Sequence, residues 1–465
     1  MSRIDEARQW ARTHFGSARL KDARRTERLV SYAAAAALRP GASIPRQCGN
    51  WPATKGAYRL FSGDAVCYQR VMQGHWLHTR EAAAACGTVL FVQDTTTLCF
   101  DHPRTAGLGS TSAKGDHGSG MLLHSALAID VDGKEPRPIG LAHGQLWARD
   151  QGRRMRVESG KWSEAIRAVG AAPGGSRWVH VGDAESDCWE AFEAAEASRV
   201  GVVLRSGQER LALAGHDPQG PASAAPGKLW EMVRQSPVLA SKWIYVRRRP
   251  GREPGCVRLN VSAMAVSLMA PRNWAQKRHR SERPKPPPMR LWAVRVWEAQ
   301  PPPGQEPIEW VLLTNQPVVS ARQALEVAGW YAGRWIVEEY HKCLKTGCRV
   351  EQRQLEEAER LEPLVGVLSA VAVRLLRLKT MARAEPHAPA EGTVEEKYVR
   401  VLAAYRKLDR RKLNNRAFWV EVAKMGGFLA RRSDGDPGWQ TTWRGWKELQ
   451  VLTAGYELAL NRRSG

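Results

Sequence analysis

WYAGRWIVEEYHKCLKTGCRVEQRQL, residues 330–355, is the stretch whose reading decides this chain. Taken as a helix at 100° per residue, it sets Tyr331, Arg334, Glu338, Lys342 and Lys345 in one stripe about 80° wide. Ile336, Val337, Tyr340 and Leu344 fall on the opposite side. An apolar back of that kind docks a helix on a core. The stripe then points outward with one carboxylate, three cations and a phenol. A lone carboxylate among cations suits a metal-assisted site for a polyanion. The plainer alternative is a solvated face laced with ion pairs at i,i+4.

Two acidic positions upstream bear on that choice. GTVLFVQDTTTLCF reads as a buried strand, Thr88 to Val92, that ends at Asp94. RWVHVGDAESDCWEAFEAA reads as a strand, Trp178 to Val181, that ends at Asp183 and has a helix behind it. An aspartate just past an apolar strand lies at the carboxyl edge of the sheet, where α/β folds place their sites. One such residue is ordinarily a turn former or a helix cap. Two of them followed by a helical glutamate give the order Asp…Asp…Glu. Three oxygen ligands from separate elements could hold two hard cations about 3.5–4 Å apart for in-line phosphoryl transfer. Glu185 and Asp187 read as supporting or surface carboxylates.

The spacing Tyr331-x2-Arg334-x3-Glu338-x6-Lys345 resembles the YREK signature of bacterial cut-and-paste DDE transposases of the IS-four family. The resemblance extends along the chain through RRTERLV (24–30), KGAYRLF (55–61), QDTTTL (93–98), ESGKW (158–162), GDAESD (182–187), EWVLLT (309–314), EEYHKCLKTG and SAVAVRLLRL. It implies an RNase H-like catalytic fold. Asp94, Asp183 and Glu338 are then the catalytic ligands of two magnesium ions, with manganese as a substitute. It implies end recognition by Arg24, Arg25, Arg28 and Arg59. Tyr331, Arg334 and Lys345 grip phosphates, and His341, Lys342 and Arg205 are further DNA contacts. Trp310, 21 residues before Tyr331, would stack on a base flipped out of the transposon end, worth roughly 1–3 kcal/mol. A core tryptophan in a strand is the alternative, because the chain has 19 tryptophans. The partners implied are double-stranded DNA, as transposon ends and target, and a second copy in a synaptic homodimer. Strand cleavage through a hairpin and joining of 3′ ends to target DNA would use one metal site. Gln354 departs from the family pattern, which has an arginine there, and Arg353 is its candidate substitute.

Composition agrees. The chain has 465 residues, a formal charge of +23 and a pI near 10.1. That charge implies a polyanionic partner, though ribosomal and membrane-surface proteins are as basic. No run of 18 apolar residues marks a transmembrane helix, and MSRIDEARQWARTHFG has no apolar signal core. Eight cysteines without CxxC pairs read as reduced thiols of a cytoplasmic protein.

The fold class expected is α/β, an RNase H-like mixed sheet with flanking helical regions. Residues 1–67 form a helical end-binding domain, with a helix that opens at Asp22 and ends at Pro40-Gly41. Residues 68–360 form the catalytic domain, with strands at 89–92, 122–129, 138–143, 178–181 and 200–204. A β-rich insertion at about 207–309 interrupts it, with strands at 242–246, 257–269 and 290–299 and a disordered or DNA-ordered loop at 272–288. The Gly-rich stretch 105–120 lacks P-loop spacing and reads as a flexible turn. Residues 361–465 form a helical dimerisation domain, although its first, strongly apolar helix could equally be core. Two rivals belong to other classes. A catalytically idle DNA-binding inhibitor would lack one of the three carboxylates. A nuclease without a role in transposition would lack the YREK set and the C-terminal region.

Overall fold

The structure, a computed structural model, describes residues 3–100, 105–111, 118–133, 135–149, 154–215, 225–246, 251–271, 274, 284–381, 385–431 and 434–461. Most of the 272–288 loop and the middle of the 105–120 stretch lie outside the described residues.

Four helices open the chain: α1 (Arg3–Phe15), α2 (Ala23–Leu38), α3 (Ile44–Cys48) and α4 (Trp51–Phe61). The Asp22 carboxylate accepts from the Arg24 N–H at 2.8 Å and caps α2, so that helix starts where the sequence places it. Asn50 caps α4 in the same way through Ala53, with Pro52 in the first turn.

Helix α5 (Tyr68–Ala84) leads into the sheet. Strands β1 (Thr88–Cys99), β2 (Gly109–Ser110), β3 (Ser119–Asp130) and β4 (Arg137–Trp147) are followed by α6 (Arg154–Val169), β5 (Arg177–Gly182), α7 (Trp189–Ser198) and β6 (Gly201–Arg205). The order in space is β4-β3-β1-β5-β6. Strands β3 and β4 are antiparallel additions to β1, whereas β1, β5 and β6 run parallel. Helices α6 and α7 supply the crossovers that parallel pairing needs. Three antiparallel strands followed by two parallel ones, with helices on both faces, is the RNase H-like order.

One boundary differs from the sequence reading. Strand β1 does not end at Asp94 but continues to Cys99, pairing Asp94 with Ser125 and Thr97 with Leu122. The run Thr95-Thr96-Thr97 is β-branched and suits a pleated surface, so the antiparallel half of the strand outlives its parallel half.

The insertion contains β7 (Leu211–Ala214), β8 (Gly227–Lys228), α8 (Leu229–Arg234), β9 (Ala240–Val246), β10 (Gly255–Leu268) and β11 (Met289–Glu298). It is no separate sheet. Strand β12 (Glu309–Thr314) pairs β6 on one side and β11 on the other, so the order runs on as β6-β12-β11-β10-β7-β8 in a single 12-stranded sheet. Strand β9 adds to the outer half of β10.

Helices α9 (Ala321–Ala332) and α10 (Trp335–Lys342) return to the central strands, and α11 (Ala358–Met381), α12 (Glu396–Arg406), α13 (Asn415–Met425) and α14 (Trp439–Asn461) complete the chain. Side chains alternate across the sheet. Leu90, Val92, Val179, Val181 and Val203 join one core with Tyr340, Leu344, Leu364 and Leu368. Phe91, Trp178, Val202 and Leu204 join the other with Trp162, Trp189 and Phe192. Trp274, the one described residue in the middle of the 272–283 stretch, is buried edge-on against Trp189.

The boundary expected at 361 cuts through α11. That helix packs on α2, α5 and β4, and Leu361, Leu364, Val365 and Leu368 are fully buried. It is the shared core of the N-terminal helices and the central sheet. A separate core starts later, where Val399, Leu402, Phe418, Trp419 and Trp446 bring α12, α13 and α14 together.

Asp187 is not at the surface. Its side chain is 1% exposed, accepts from Arg210 at 2.8 Å and from the Gly207 N–H at 3.0 Å, and ties the loop after β5 to the start of the insertion. Asp187→Ala leaves Arg210 buried without its counter-charge, and is expected to cost about 3–5 kcal/mol. Urea unfolding measures it. A variant within about 1 kcal/mol of the parent would show that the clamp contributes nothing.

Candidate active site

The two aspartates meet because of register. Val92 on β1 lies opposite Val181 on β5 in a parallel pair. Asp94 and Asp183 each come two residues later, so they leave the same face of neighbouring strands, whose axes are about 4.8 Å apart. Strand β5 stops at Gly182, and Asp183 caps the short 3-10 turn that follows by accepting from the Glu185 N–H at 3.0 Å. Asp94 accepts from the Thr95 N–H at 2.9 Å. Burial, then the charge of Asp183, pushes the Asp94 carboxyl up to about 6. Burial also raises Asp183. Each carboxyl therefore gives up its proton less readily than an ordinary one.

The third carboxylate comes from a broken helix, not the continuous one expected. Helix α9 ends at Ala332, Gly333 and Arg334 turn, and α10 starts at Trp335. After Lys342 the chain widens into one π turn, Cys343–Gly347, closed by the Cys348 N–H on the Cys343 carbonyl at 2.9 Å. A π turn inserts one residue into the helical repeat. Both breaks rotate the stripe. Tyr331 turns inward and is buried at 5% exposure, edge-on to Trp310 at 5.1 Å. Lys345 reaches Glu351 at 3.4 Å and Lys342 reaches Glu339 at 3.9 Å. Glu338 and Arg334 stay together, with Nη2 3.0 Å from Oε1.

Arg334 is the hub. Burial works against its charge, but Tyr331, Asp94, Glu338 and Asp183 together hold its pKa above the ordinary value. A guanidinium is therefore drawn in among all three predicted carboxylates. His341, expected as a DNA contact, is instead buried behind Asp94, with Nδ1 3.7 Å from Oδ2. Burial, then the Lys345 charge, pushes its imidazole down to about 3, so it stands neutral, and the contact is neither an ion pair nor a hydrogen bond. Arg205 is half-buried at the end of β6. Trp310 is half-buried on β12, packed against the core that holds Tyr331.

Residues that sequence reasoning missed hold this edge in place. Beneath Asp94, Thr95 Oγ1 lies 2.9 Å from His124 Nδ1, His124 Nε2 lies 3.0 Å from Gln93 Oε1, and Gln93 Nε2 lies 2.9 Å from His180 Nδ1. The chain of contacts is consistent if both imidazoles are neutral, and burial lowers both. Lys161 on α6 is 7% exposed, and its Nζ lies 3.4 Å from Glu185. Its charge acts to lower Asp183. A lone lysine inside an amphipathic helix gives no local signal of that role. The adjacent ESGKW stretch was the only pointer.

The donor set fits a hard divalent cation on one observation: two oxygen-only side chains, Asp94 and Asp183, leave the same face of neighbouring strands, and burial raises the pKa of both. Among the described residues no group of three or more His, Cys, Asp or Glu is gathered tightly enough to hold a metal ion, and Glu338 is paired with Arg334.

The N-terminal cations form a second locus. Arg24, Arg28, Lys55 and Arg59 are exposed on α2 and α4, and Trp51 is exposed at the start of α4. Arg25 is half-buried and turns to the Leu20 carbonyl. Arg353 is no phosphate contact. It is buried and donates to the carbonyls of Pro40, Ala42 and Cys348, which fastens the turn after α2 to the core. Gln354 beside it is exposed.

Residues 7–66 match the Transposase DNA-binding family. The match covers α2 to α4 and most of α1, and it includes Arg24, Arg25, Arg28 and Arg59. Among solved structures, the cryo-EM structure of a piggyBac transposase synaptic complex with hairpin DNA aligns over 92% of this chain and 80% of that chain, at 10% identity and a TM-score of 0.33. That likeness is too remote to carry an argument. No helix among the described residues is long and apolar enough to cross a membrane.

The pH behaviour of Asp94 follows from its environment. The folded chain holds this proton more tightly than the ordinary carboxyl at 3.8. The stability linked to the proton is full below about pH 4 and is lost as pH rises through about 6. Asp94→Asn keeps an acceptor for Thr95 and removes the charge. In metal-free buffer it is expected to raise stability by up to roughly 3 kcal/mol above pH 6 and to leave it unchanged below pH 4. Thermal unfolding across that range measures the difference. A variant no more stable than the parent at pH 7.5 would show that Asp94 carries no such burden.

Proposed function

We propose that the chain is a DNA transposase of the DDE type, with the YREK set of the IS-four family, that binds transposon ends through residues 7–66 and cleaves DNA at Asp94, Asp183 and Glu338. The observation that carries the reading is the β1–β5 register, which sets two aspartates side by side at the edge of an RNase H-ordered sheet. The transposase DNA-binding match at the N-terminus joins that edge to a substrate class.

The three carboxylates would hold magnesium, or manganese in its place, which supplies Lewis-acid stabilisation of the charge that builds on phosphate oxygens. The protein's own groups do the positioning. Gln93, His124 and Thr95 lock β1, so Asp94 does not move as charge develops. Lys161 keeps positive charge beside Asp183. Arg334 holds Glu338 now, and a planar guanidinium is also the side chain whose fork best matches phosphate. DNA phosphate competes with Glu338 for that fork, and its arrival frees the carboxylate. Buried His341 belongs with the groups that position Asp94. The proposal extends to nicking, a hairpin intermediate, joining of 3′ ends to target DNA, a stacking role for Trp310 and a homodimer that pairs two ends through the C-terminal region.

Asp94→Asn, Asp183→Asn and Glu338→Gln are each expected to abolish magnesium-dependent cleavage of end-containing DNA, while end binding stays within a few-fold of the parent. The assay also separates the rivals. An idle inhibitor binds ends and cuts nothing, and a simple nuclease cuts without regard to end sequence. Near-parental nicking by any one variant removes that residue from the set.

Arg28→Ala and Arg59→Ala are expected to weaken end binding. Where the contact is to phosphate, the loss is uniform across sequences and the salt slope falls by about 1 for each. Binding isotherms at several salt concentrations measure this. Unchanged affinity in both variants would move the recognition surface elsewhere.

A further inference from the structure

We propose that the outer face of the insertion is a second DNA-binding surface, a stacking platform for an unpaired DNA segment, built from Trp243 and Tyr245 on β9 with Arg258 on β10. The inference rests on the transposase reading for its partner class, and no part of the catalytic edge contributes to it.

Among the described residues β9 pairs with β10 alone, so its other side is an open edge there. Ile244 and Val246 pack inward against the core. Trp243 and Tyr245 point the other way, and they are 67% and 65% exposed. Natural sheets protect open edges with short strands, charge or cover. Two large bare aromatics on such an edge are a liability unless a partner uses them. Residues i and i+2 on one face of a strand lie about 6.8 Å apart, a spacing that two successive bases of an extended strand can match.

The surroundings say which partner. Arg258 lies directly across from Trp243 and diagonal to Tyr245. It donates to Ser241 Oγ at 3.3 Å, and that hydroxyl reaches Asn260 at 2.7 Å. On the same face, Trp297 follows Asn260 across the sheet, with the Arg295 guanidinium 4.2 Å above its ring. Residues 207–309 hold seventeen basic against eight acidic residues, and Arg247-Arg248-Arg249 follow β9 in sequence. A second copy would bring the same positive charge against this face, and a polyanion would not. Aromatic rings stack on bases whatever their sequence, provided the bases are unpaired, since a duplex buries its base faces. The hairpin of the proposed reaction is one place where bases near a DNA end come unpaired. Trp310 lies on the opposite face of the same sheet, paired with Val296, so the two surfaces are separate.

The test uses the full chain in metal-free buffer and a labelled oligothymidine of about 20 nucleotides without end sequence, followed by fluorescence anisotropy. Trp243→Ala with Tyr245→Ala is expected to lower affinity for the oligonucleotide at least about tenfold, and to leave affinity for an end-containing duplex within twofold. Trp243→Phe is expected to retain most of the binding. Arg258→Ala is expected to reduce the single-strand salt slope by about 0.7. Unchanged oligonucleotide affinity in the double variant overturns the platform, and so does an equal loss on duplex and single strand. A fall in the mass of the free protein, with DNA binding unchanged, assigns the face to a second copy and also overturns it. A parent chain that binds the oligonucleotide but cleaves no end-containing DNA overturns the transposase reading and leaves the platform standing.

Discussion

The repulsion between Asp94 and Asp183 is the constraint on which the rest of this structure depends. Two carboxylates on neighbouring parallel strands cannot both stay charged in a half-buried setting without positive charge nearby. The protein answers with Arg334, which the break between α9 and α10 delivers to the site together with Glu338. A continuous helix would have carried Tyr331 outward on the same stripe. The break turns it under Trp310 and leaves the arginine among the acids. The guanidinium lowers the electrostatic cost of the carboxylates gathered there.

That arrangement needs a rigid floor, and the floor is polar. The contacts from Thr95 through His124 and Gln93 to His180 run beneath β1 and join three strands. An apolar floor would pack as well but would not orient side chains. In a low-dielectric interior a fully partnered network is stiff, and a partly partnered one is costly. Among the described residues His180 Nε2 has no hydrogen-bond partner, so the network is open at its His180 end.

The sequence announced elements and edges better than it announced contacts. Apolar runs at 89–92, 122–129, 178–181 and 200–204 are strands because side chains alternate into two cores, and the Asp22 cap begins α2 where its chemistry requires. The neighbourhood of Asp94 and Asp183 follows from two apolar runs that pair in parallel and turn acidic two residues past Val92 and Val181, although β1 itself runs on to Cys99. Helical periodicity failed at 330–347, because one glycine turn and one π turn change the phase of the stripe, and neither has a local signature. It failed again for His341, Asp187 and Arg353. A histidine, an aspartate and an arginine in polar-looking stretches are buried here by partners 20 to more than 300 residues away, or by the sheet itself. The boundary at 361 failed for a related reason: an apolar helix declares that it is buried, not which domain buries it.

Continuity of the sheet gives the insertion a mechanical meaning. Strand β12 is bonded to β6 on one side and β11 on the other, and the Asp187–Arg210 clamp closes the first residues of the insertion onto the loop that follows Asp183. A separate domain on a linker could swing relative to the carboxylates, and this one cannot do so without breaking a ladder. The two faces of the extended sheet are therefore fixed at once. One holds Trp310 against Tyr331, next to Arg334. The other carries Trp243 and Tyr245 toward solvent, with half-buried Trp297 on the same side. In the proposed reaction, DNA engaged by either face would be held at a set distance from Asp94 and Asp183, and in-line attack on a single phosphodiester requires such a fixed distance.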